Sequence, residues 1–129
     1  MAKQPVGGSR AAGAYSPGNV AEGRFVYVSG QGPLRDGEVT GDTIGEQTQI
    51  ALDNVAAVLR SAGAGPADVV QCRVFLADTA DFRAMDEVYA QFFPEPRPAR
   101  TTVGAALPLP GMLVEIDCVA VLPGTGGEA

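Results

Sequence analysis

The C-terminal stretch from Met112 to Leu122 limits the possible folds more than any other part of the chain, because its side chains alternate in character throughout. A period of two is typical of a β-strand, in which successive side chains point to opposite faces of a sheet. One face of the predicted strand carries Val114, Ile116, Cys118, Ala120 and Leu122, and the other carries Leu113, Glu115, Asp117, Val119 and Val121. Both faces are therefore partly apolar, and helices on only one of them would leave a hydrophobic sheet surface in water. The pattern predicts a homo-oligomer in which these second faces pack together.

The rest of the chain indicates further strands and two helices. Thr43-Ile44-Gly45-Glu46 has the spacing of a capping box, which predicts a helix start, and Gly63 suits the end of that helix. Asp36-Gly37 between Leu34 and Val39 predicts a tight hairpin or a bulged turn. The predicted elements are a strand over 24–29, the hairpin, a helix over 44–62, a strand over 69–77, a helix over 82–93, and strands over 100–106 and 112–122. This order, ββαβαββ, is most simply packed as an open α+β sheet with both helices on one face.

A chain of 129 residues, 46% of them hydrophobic, suits one compact domain. No repeat or long linker divides it, so we expect a single domain over 1–129. The two ends, 1–12 and 123–129, are rich in glycine, alanine and polar residues. Such composition predicts flexible tails.

Composition excludes several classes of function. The sequence contains no histidine, which rules out His-ligated metal sites, Ser-His-Asp triads and a histidine general base. Nine basic residues against fifteen acidic ones give a net charge of -6, which would repel the phosphates of a nucleic acid. The two cysteines fall on apolar strand faces, where we interpret them as core residues. No apolar run is long enough to span a bilayer and no signal peptide is evident, so we expect a soluble cytoplasmic protein without metal or cofactor.

Two charged residues near the C-terminal strands are candidates for a chemical role. Arg100 follows Pro-Arg-Pro-Ala at the start of an apolar strand, where a stiffened backbone would hold its guanidinium for bidentate binding of a carboxylate. The alternative is an ordinary salt bridge to Asp or Glu. Glu115 is either the polar side of an amphipathic strand or a partly desolvated base, and the sequence leaves both interpretations open.

Several short motifs occur in a fixed order along the chain. They are Gly13-Ala14-Tyr15-Ser16, Val28-Ser29-Gly30-Gln31-Gly32-Pro33, Ala51-Leu52-Asp53-Asn54-Val55, Pro98-Ala99-Arg100-Thr101-Thr102-Val103 and Val114-Glu115-Ile116. In this order they resemble the RidA/YjgF family of reactive-intermediate deaminases. The likeness runs from about residue 13 to residue 122, and several motifs agreeing in order are far more specific than any one of them.

The resemblance implies a chorismate-mutase-like fold that assembles as a homotrimer with its sites in clefts between subunits. It also implies an enzyme that hydrolyses 2-iminobutanoate, 2-iminopropanoate and related enamines to 2-oxo acids and ammonia without a cofactor. By the same resemblance, Arg100 binds the substrate carboxylate and Glu115 positions or deprotonates the attacking water. Tyr15 and Gly30 correspond to family positions that line the pocket.

Two residues depart from the family pattern at positions that the resemblance places near the substrate. Asp86 stands where many members have Asn, and Thr102 stands where many have Cys. A negative charge at Asp86 would oppose the binding of a carboxylate and would alter substrate choice. The alternatives to the deaminase are a non-catalytic trimer that senses a small carboxylate and, less favoured by the acidic charge, a ribonuclease or translation inhibitor.

Overall fold

A four-stranded mixed sheet forms the centre of the computed structural model, which describes residues 2–124. In chain order the elements are β1 (Lys3–Val6), β2 (Gly18–Ala21), β3 (Phe25–Gln31), β4 (Leu34–Arg35), β5 (Glu38–Val39), α1 (Ile44–Ser61), β6 (Val69–Leu76), α2 (Phe82–Phe92), β7 (Ala99–Gly104) and β8 (Val114–Val121). The strand order of the central sheet is β3-β8-β6-β7. Strands β6 and β7 run parallel, and the other neighbours are antiparallel. This order makes β7 an edge strand.

Both helices cover the same face of the central sheet, and the apolar core lies between the two layers. The predicted capping box begins α1: Thr43 Oγ1 accepts from the N–H of Glu46, and the Glu46 carboxylate accepts from the N–H of Thr43, both at 3.1 Å. The apolar and aromatic side chains that the helices bury completely are Ala51, Leu52, Val55, Leu59, Met85 and Tyr89. Each large apolar side chain buried in this way stabilises the fold by about 1.5–3 kcal/mol. Within residues 2–124, no helix is both long enough and apolar enough to cross a membrane.

The predicted α+β architecture with two helices on one face is confirmed. The hairpin at Asp36-Gly37 is also confirmed, since Leu34 pairs with Val39 across it. The φ angles of 51° at Asp36 and 79° at Gly37 are both positive, as a type I′ turn requires. Glycine therefore suits position 37 for conformational reasons.

The N-terminal residues differ from the flexible tail that their composition predicts for 1–12. Strand β1 pairs with β2 in a hairpin whose register runs from Lys3 opposite Ala21 to Val6 opposite Gly18. Lys3 is only 8% exposed, and its Nζ donates to main-chain carbonyls at 2.8 and 3.3 Å. These partners lie far away in the sequence, so composition could not reveal them. Most of the predicted C-terminal tail, residues 125–129, lies outside the described residues.

The opposite face of the central sheet carries no helix within the described part of the chain. On β8 the even-numbered residues from Val114 to Ala120 are buried under the helices, and the odd-numbered residues from Glu115 to Val119 are half-buried on this open face. Tyr27 is 75% exposed there, with Phe25 and Val103 at 40% and 43%. The alternation predicted for the last strand is therefore confirmed, and the open face is partly apolar.

Candidate functional site

Arg100 lies on the edge strand β7 and points to the face of the sheet that the helices cover. Cys72 on β6 is its neighbour across the sheet, and Cys118 on β8 is the next residue in the same row. The Arg100 side chain is only 1% exposed. Its Nη1 donates a 2.6 Å hydrogen bond to Oδ1 of Asp86 on α2. One carboxylate therefore compensates this buried positive charge.

Three aromatic rings surround the Arg100 guanidinium. Its Cζ lies 4.6 Å from the ring centroid of Tyr89, 4.9 Å from that of Tyr15 and 5.3 Å from that of Phe82. The spacing of three and four residues places Phe82, Asp86 and Tyr89 along one side of α2. A single helix therefore supplies two rings and the counter-ion, and the rings attract the cation while they keep water away from it.

One edge of the guanidinium has no hydrogen-bond partner among the described residues. Whereas Nη1 of Arg100 binds Asp86, its Nε and Nη2 are buried and unpaired. Arg73 uses the same two atoms to bind Asp117, at 3.1 Å from Nε and 2.6 Å from Nη2, which shows how this edge holds a carboxylate. Two parallel hydrogen bonds of this kind are the strongest arrangement available to arginine. The free edge of Arg100 therefore matches a small carboxylate ligand.

The segment 12–15 closes the space above this edge. A Cβ on Gly13 would lie 2.9 Å from Nη2 of Arg100 and 3.0 Å from Oδ2 of Asp86, so a close approach favours glycine there. The N–H of Ala14 donates to the two Asp86 oxygens at 3.3 and 3.2 Å. These hydrogen bonds are long, so the segment is held over the arginine by weak contacts.

Two hydroxyl groups in the same region are buried without a hydrogen-bond partner in residues 2–124, namely Oγ1 of Thr102 and the hydroxyl of Tyr89. Thr102 lies two residues after Arg100 on β7 and shares its face of the sheet. Burial raises the pKa of the Tyr89 hydroxyl well above its usual range, and the neighbouring Cys72 adds to this effect, so the group stays protonated. We define the arginine cluster as Tyr15, Phe82, Asp86, Tyr89, Arg100 and Thr102.

Glu115 lies on the open face of the sheet, away from the arginine cluster. It occupies β8 and pairs across the sheet with Phe75. Its carboxylate lies against Gly30, because a Cβ at that glycine would be 2.9 Å from Cδ of Glu115 and nearer still to Oε2. The register between β3 and β8 shifts between Val28 and Gln31, which is where Gly30 stands. This irregularity brings the main chain at Gly30 next to the carboxylate.

The cysteines are core residues, as predicted. Cys72 and Cys118 are 0% and 3% exposed and face each other on β6 and β8. A hydrogen bond to the Cys72 thiol, together with burial, raises the pKa of Cys118, and a protonated thiol is a poor nucleophile. In the described part of the chain, no group of three or more His, Cys, Asp or Glu side chains is placed to hold a metal ion.

A family model described as Endoribonuclease L-PSP matches residues 7–122 of the chain. Among solved structures, a Rid-family protein of unknown function from Yersinia pestis superposes with a TM-score of 0.85 at 31% identity, covering 95% of this chain and 100% of that one. The chain belongs to the Rid/YjgF family. The resemblance drawn from the short motifs is confirmed.

Two curated relatives support membership of the Rid/YjgF family. The mitochondrial protein mmf2 of Schizosaccharomyces pombe is 42% identical over 125 residues, which are 93% of this chain and 98% of that protein. The chloroplastic Reactive Intermediate Deaminase A of Arabidopsis thaliana is 38% identical over 115 residues, which are 87% of this chain and 60% of that protein.

Within this Rid/YjgF chain the predicted site residues occupy two separate places. The arginine cluster contains Tyr15, Asp86, Arg100 and Thr102, whereas Gly30 and Glu115 lie together on the open face. Sequence reasoning missed two further members of the cluster, Phe82 and Tyr89, because apolar and aromatic side chains repeated at helical spacing are typical of the buried side of a helix. The signal that could have distinguished Tyr89 is its hydroxyl in a stripe that is otherwise apolar.

Proposed function

We propose that this protein is a hydrolytic deaminase that converts small 2-imino and enamino acids, such as 2-iminobutanoate and 2-iminopropanoate, to 2-oxo acids and ammonia. The observation that carries the proposal is the buried Nε and Nη2 edge of Arg100, which has no hydrogen-bond partner in residues 2–124 and suits a carboxylate. The name of the Arabidopsis relative, Reactive Intermediate Deaminase A, supports the type of reaction.

In the proposed mechanism, Arg100 holds the substrate carboxylate, and Glu115 orients a water molecule and accepts its proton. As the water oxygen bonds to the imine carbon, the π electrons of the carbon–nitrogen double bond move to the nitrogen, which gives a carbinolamine. The protonated Glu115 then returns its proton to that nitrogen. The remaining carbon–nitrogen bond breaks, the nitrogen leaves as ammonia, and the hydroxyl group releases its proton. The oxygen stays on the carbon as the carbonyl of the 2-oxo acid. An iminium carbon is already electrophilic, so holding substrate and water in position supplies most of the acceleration.

The positions of Arg100 and Glu115 favour a site shared by two copies of the chain. Within one copy they lie on opposite faces of the sheet, so they cannot contact the same small substrate. A second copy whose open face packs beside the edge strand β7 would bring its own Glu115 to the first copy's arginine cluster. The exposed Tyr27 and its apolar neighbours would give that interface its hydrophobic contact. On the family resemblance, we propose a homotrimer as the closed assembly.

Substrate entry requires the segment 12–15 to move. The point that a Cβ of Gly13 would occupy lies 2.9 Å from Nη2 of Arg100, so the main chain of this segment stands where a ligand on that nitrogen would lie. The hydrogen bonds from Ala14 to Asp86, at 3.2 and 3.3 Å, are the contacts that must break. We propose that the segment opens to admit the substrate and closes over it.

Replacement of Arg100 tests the proposal. Arg100→Lys keeps the positive charge near Asp86 but removes the bidentate edge, so kcat/KM for freshly generated 2-iminopropanoate should fall. Loss of such a contact is worth on the order of 2–4 kcal/mol, which corresponds to a loss of roughly tens- to hundreds-fold in rate. The matched control is Arg60→Ala, which removes an exposed positive charge from the last turn of α1 and should leave the rate unchanged.

Other outcomes would point to the alternative functions. Wild-type turnover by Arg100→Lys would show that Arg100 does not anchor the substrate. Thermal stabilisation by 2-oxobutanoate without any deamination would identify a carboxylate sensor instead. The description of the family model names an endoribonuclease, but the net charge of -6 does not favour RNA binding. Tight RNA binding by the pure protein at physiological salt would contradict this argument.

A further inference from the structure

Asp86 places a negative charge beside a site that is proposed to hold an anion. Its Oδ1 accepts the 2.6 Å hydrogen bond from Nη1 of Arg100. By contrast, Oδ2 has the 3.2 Å contact with the N–H of Ala14. The Asp86 side chain is 20% exposed, against 1% for Arg100. Asp86 therefore neutralises the arginine while its second oxygen keeps a weak partner that a ligand could replace.

The second oxygen of Asp86 and the free edge of Arg100 border the same small space. The point that a Cβ of Gly13 would occupy lies 3.0 Å from Oδ2 of Asp86 and 2.9 Å from Nη2 of Arg100. A ligand that enters this space when the segment 12–15 moves therefore meets a negative group and a positive group together. A plain anion is repelled by one of them, whereas a ligand with adjacent negative and positive groups is matched by both.

We infer that Asp86 makes the site selective for zwitterions by accepting a hydrogen bond from the protonated nitrogen of the imino acid. The inference rests on the proposed function, because it takes the carboxylate of that substrate to lie on Nε and Nη2 of Arg100. In a 2-imino acid the carboxylate and the nitrogen are attached to one central carbon, so the two groups are close enough to reach both residues.

This contact would act on reactivity as well as on binding. Water adds more readily to an imine carbon when the nitrogen is protonated, because the positive charge withdraws electrons from the double bond. A carboxylate at hydrogen-bond distance stabilises the protonated form. The 2-oxo acid product has lost the nitrogen and keeps only the negative group, so Asp86 weakens the binding of product and favours its release.

Two stable ligands of similar size distinguish the binding of a plain anion from the binding of a zwitterion. Pyruvate is an anion, and L-alanine has the same carboxylate together with a cationic nitrogen. Both would contact Arg100 in the same way, so the ratio of the Kd for pyruvate to the Kd for alanine reports the nitrogen contact. Calorimetry gives this ratio for the wild type and for Asp86→Asn. We expect the substitution to lower the ratio by about tenfold or more, since it removes a unit charge at hydrogen-bond distance from the nitrogen.

Two further variants control for charge and for folding. Glu38→Gln removes one negative charge from an exposed position of β5 and should leave the ratio within about twofold of the wild type, because exposed charges are screened. Asp86→Glu keeps the charge and should keep most of the wild-type ratio. An unchanged ratio in Asp86→Asn would overturn the inference. If Asp86→Asn binds pyruvate and alanine more tightly by the same factor, the inference is also wrong, because Asp86 would then act only by competing with the ligand carboxylate for Arg100. A wild type that binds neither ligand would overturn it as well.

Turnover of 2-iminopropanoate by the wild type tests the proposed function separately. If the wild type has no deaminase activity but the ratio of Kd values falls in Asp86→Asn, the proposed catalytic function is wrong and the zwitterion-selective site stands. If the wild type is active but the ratio of Kd values is unchanged in Asp86→Asn, the proposed reaction stands and the inferred role of Asp86 is wrong.

Discussion

The carboxylate of Glu115 occupies the space that a side chain at Gly30 would need. An added Cβ would lie 2.9 Å from Cδ of Glu115 and nearer still to Oε2. Gly30→Ala should therefore turn the carboxylate away from its place without forcing the main chain to move. We predict that kcat for 2-iminopropanoate falls by roughly tenfold to a hundredfold, because a small displacement of the group that orients water has this effect. Steady-state kinetics on the assembled protein measures the loss.

A second glycine substitution gives the matched control for this prediction. Gly45 lies in the first turn of α1, where a Cβ would meet Val88 at an ordinary 3.8 Å. Gly45→Ala should leave the kinetics unchanged and stabilise the fold by about 0.5–1 kcal/mol, since alanine is the better helix former. If Gly30→Ala is as active as Gly45→Ala, Glu115 does not position the water.

The unpaired hydroxyl of Thr102 leads to a prediction about stability. Its Oγ1 is buried and has no hydrogen-bond partner in the described part of the chain. Thr102→Val replaces this hydroxyl with a methyl group of similar shape, so the free energy of unfolding should stay the same or rise by about 1 kcal/mol. Urea unfolding measures the change. A loss of about 2 kcal/mol would mean that the hydroxyl has a partner in the assembled protein.

The parts of the fold that the sequence predicted are those whose contacts are local. The capping box joins Thr43 to Glu46, and the hairpin turns on Asp36-Gly37, so each feature lies within a few residues. The strand β1 was missed because its partners are distant. Lys3 pairs with Ala21 and donates to Pro96, and neither contact leaves a local pattern.

The candidate site shows the same limit. From residue type, Arg100 had two interpretations, a ligand-binding group or a member of a salt bridge. In the structure Nη1 donates to Asp86, whereas Nε and Nη2 have no partner among the residues described, so each interpretation holds for part of the side chain. The alternation of β8 already placed Glu115 on the second face. The face of Arg100, however, depends on the parallel register with Cys72, which no local pattern specifies.

The N-terminal hairpin provides a further test of long-range contacts. The Nζ of Lys3 donates to the carbonyl of Pro96 at 2.8 Å and to that of Ala67 at 3.3 Å. Lys3→Met removes this donor but keeps the length of the side chain, and we predict a loss of about 1–2 kcal/mol in the free energy of unfolding. Gln4→Ala, at an exposed position on the same strand, should change it by less than about 0.5 kcal/mol. Equal stability of the two variants in urea would contradict the predicted role of Lys3.

Alkaline conditions should destabilise the fold through the buried thiol of Cys118. A hydrogen bond to the Cys72 thiol, together with burial, raises its folded-state pKa above the ordinary value of 9.0. The unfolded chain therefore releases this proton at lower pH, so the stability that the protonated thiol gives is present below about pH 9 and is lost as the pH rises. One such group contributes a slope of about 1.4 kcal/mol per pH unit. The free energy of unfolding should therefore fall more steeply above about pH 9 in the wild type than in Cys118→Ala. Burial also raises the pKa of Tyr89 above its ordinary 10.0, so the two proteins are compared between about pH 9 and pH 10, below the ordinary pKa of tyrosine. Parallel curves in this range would show that the Cys118 thiol ionises normally in the folded state.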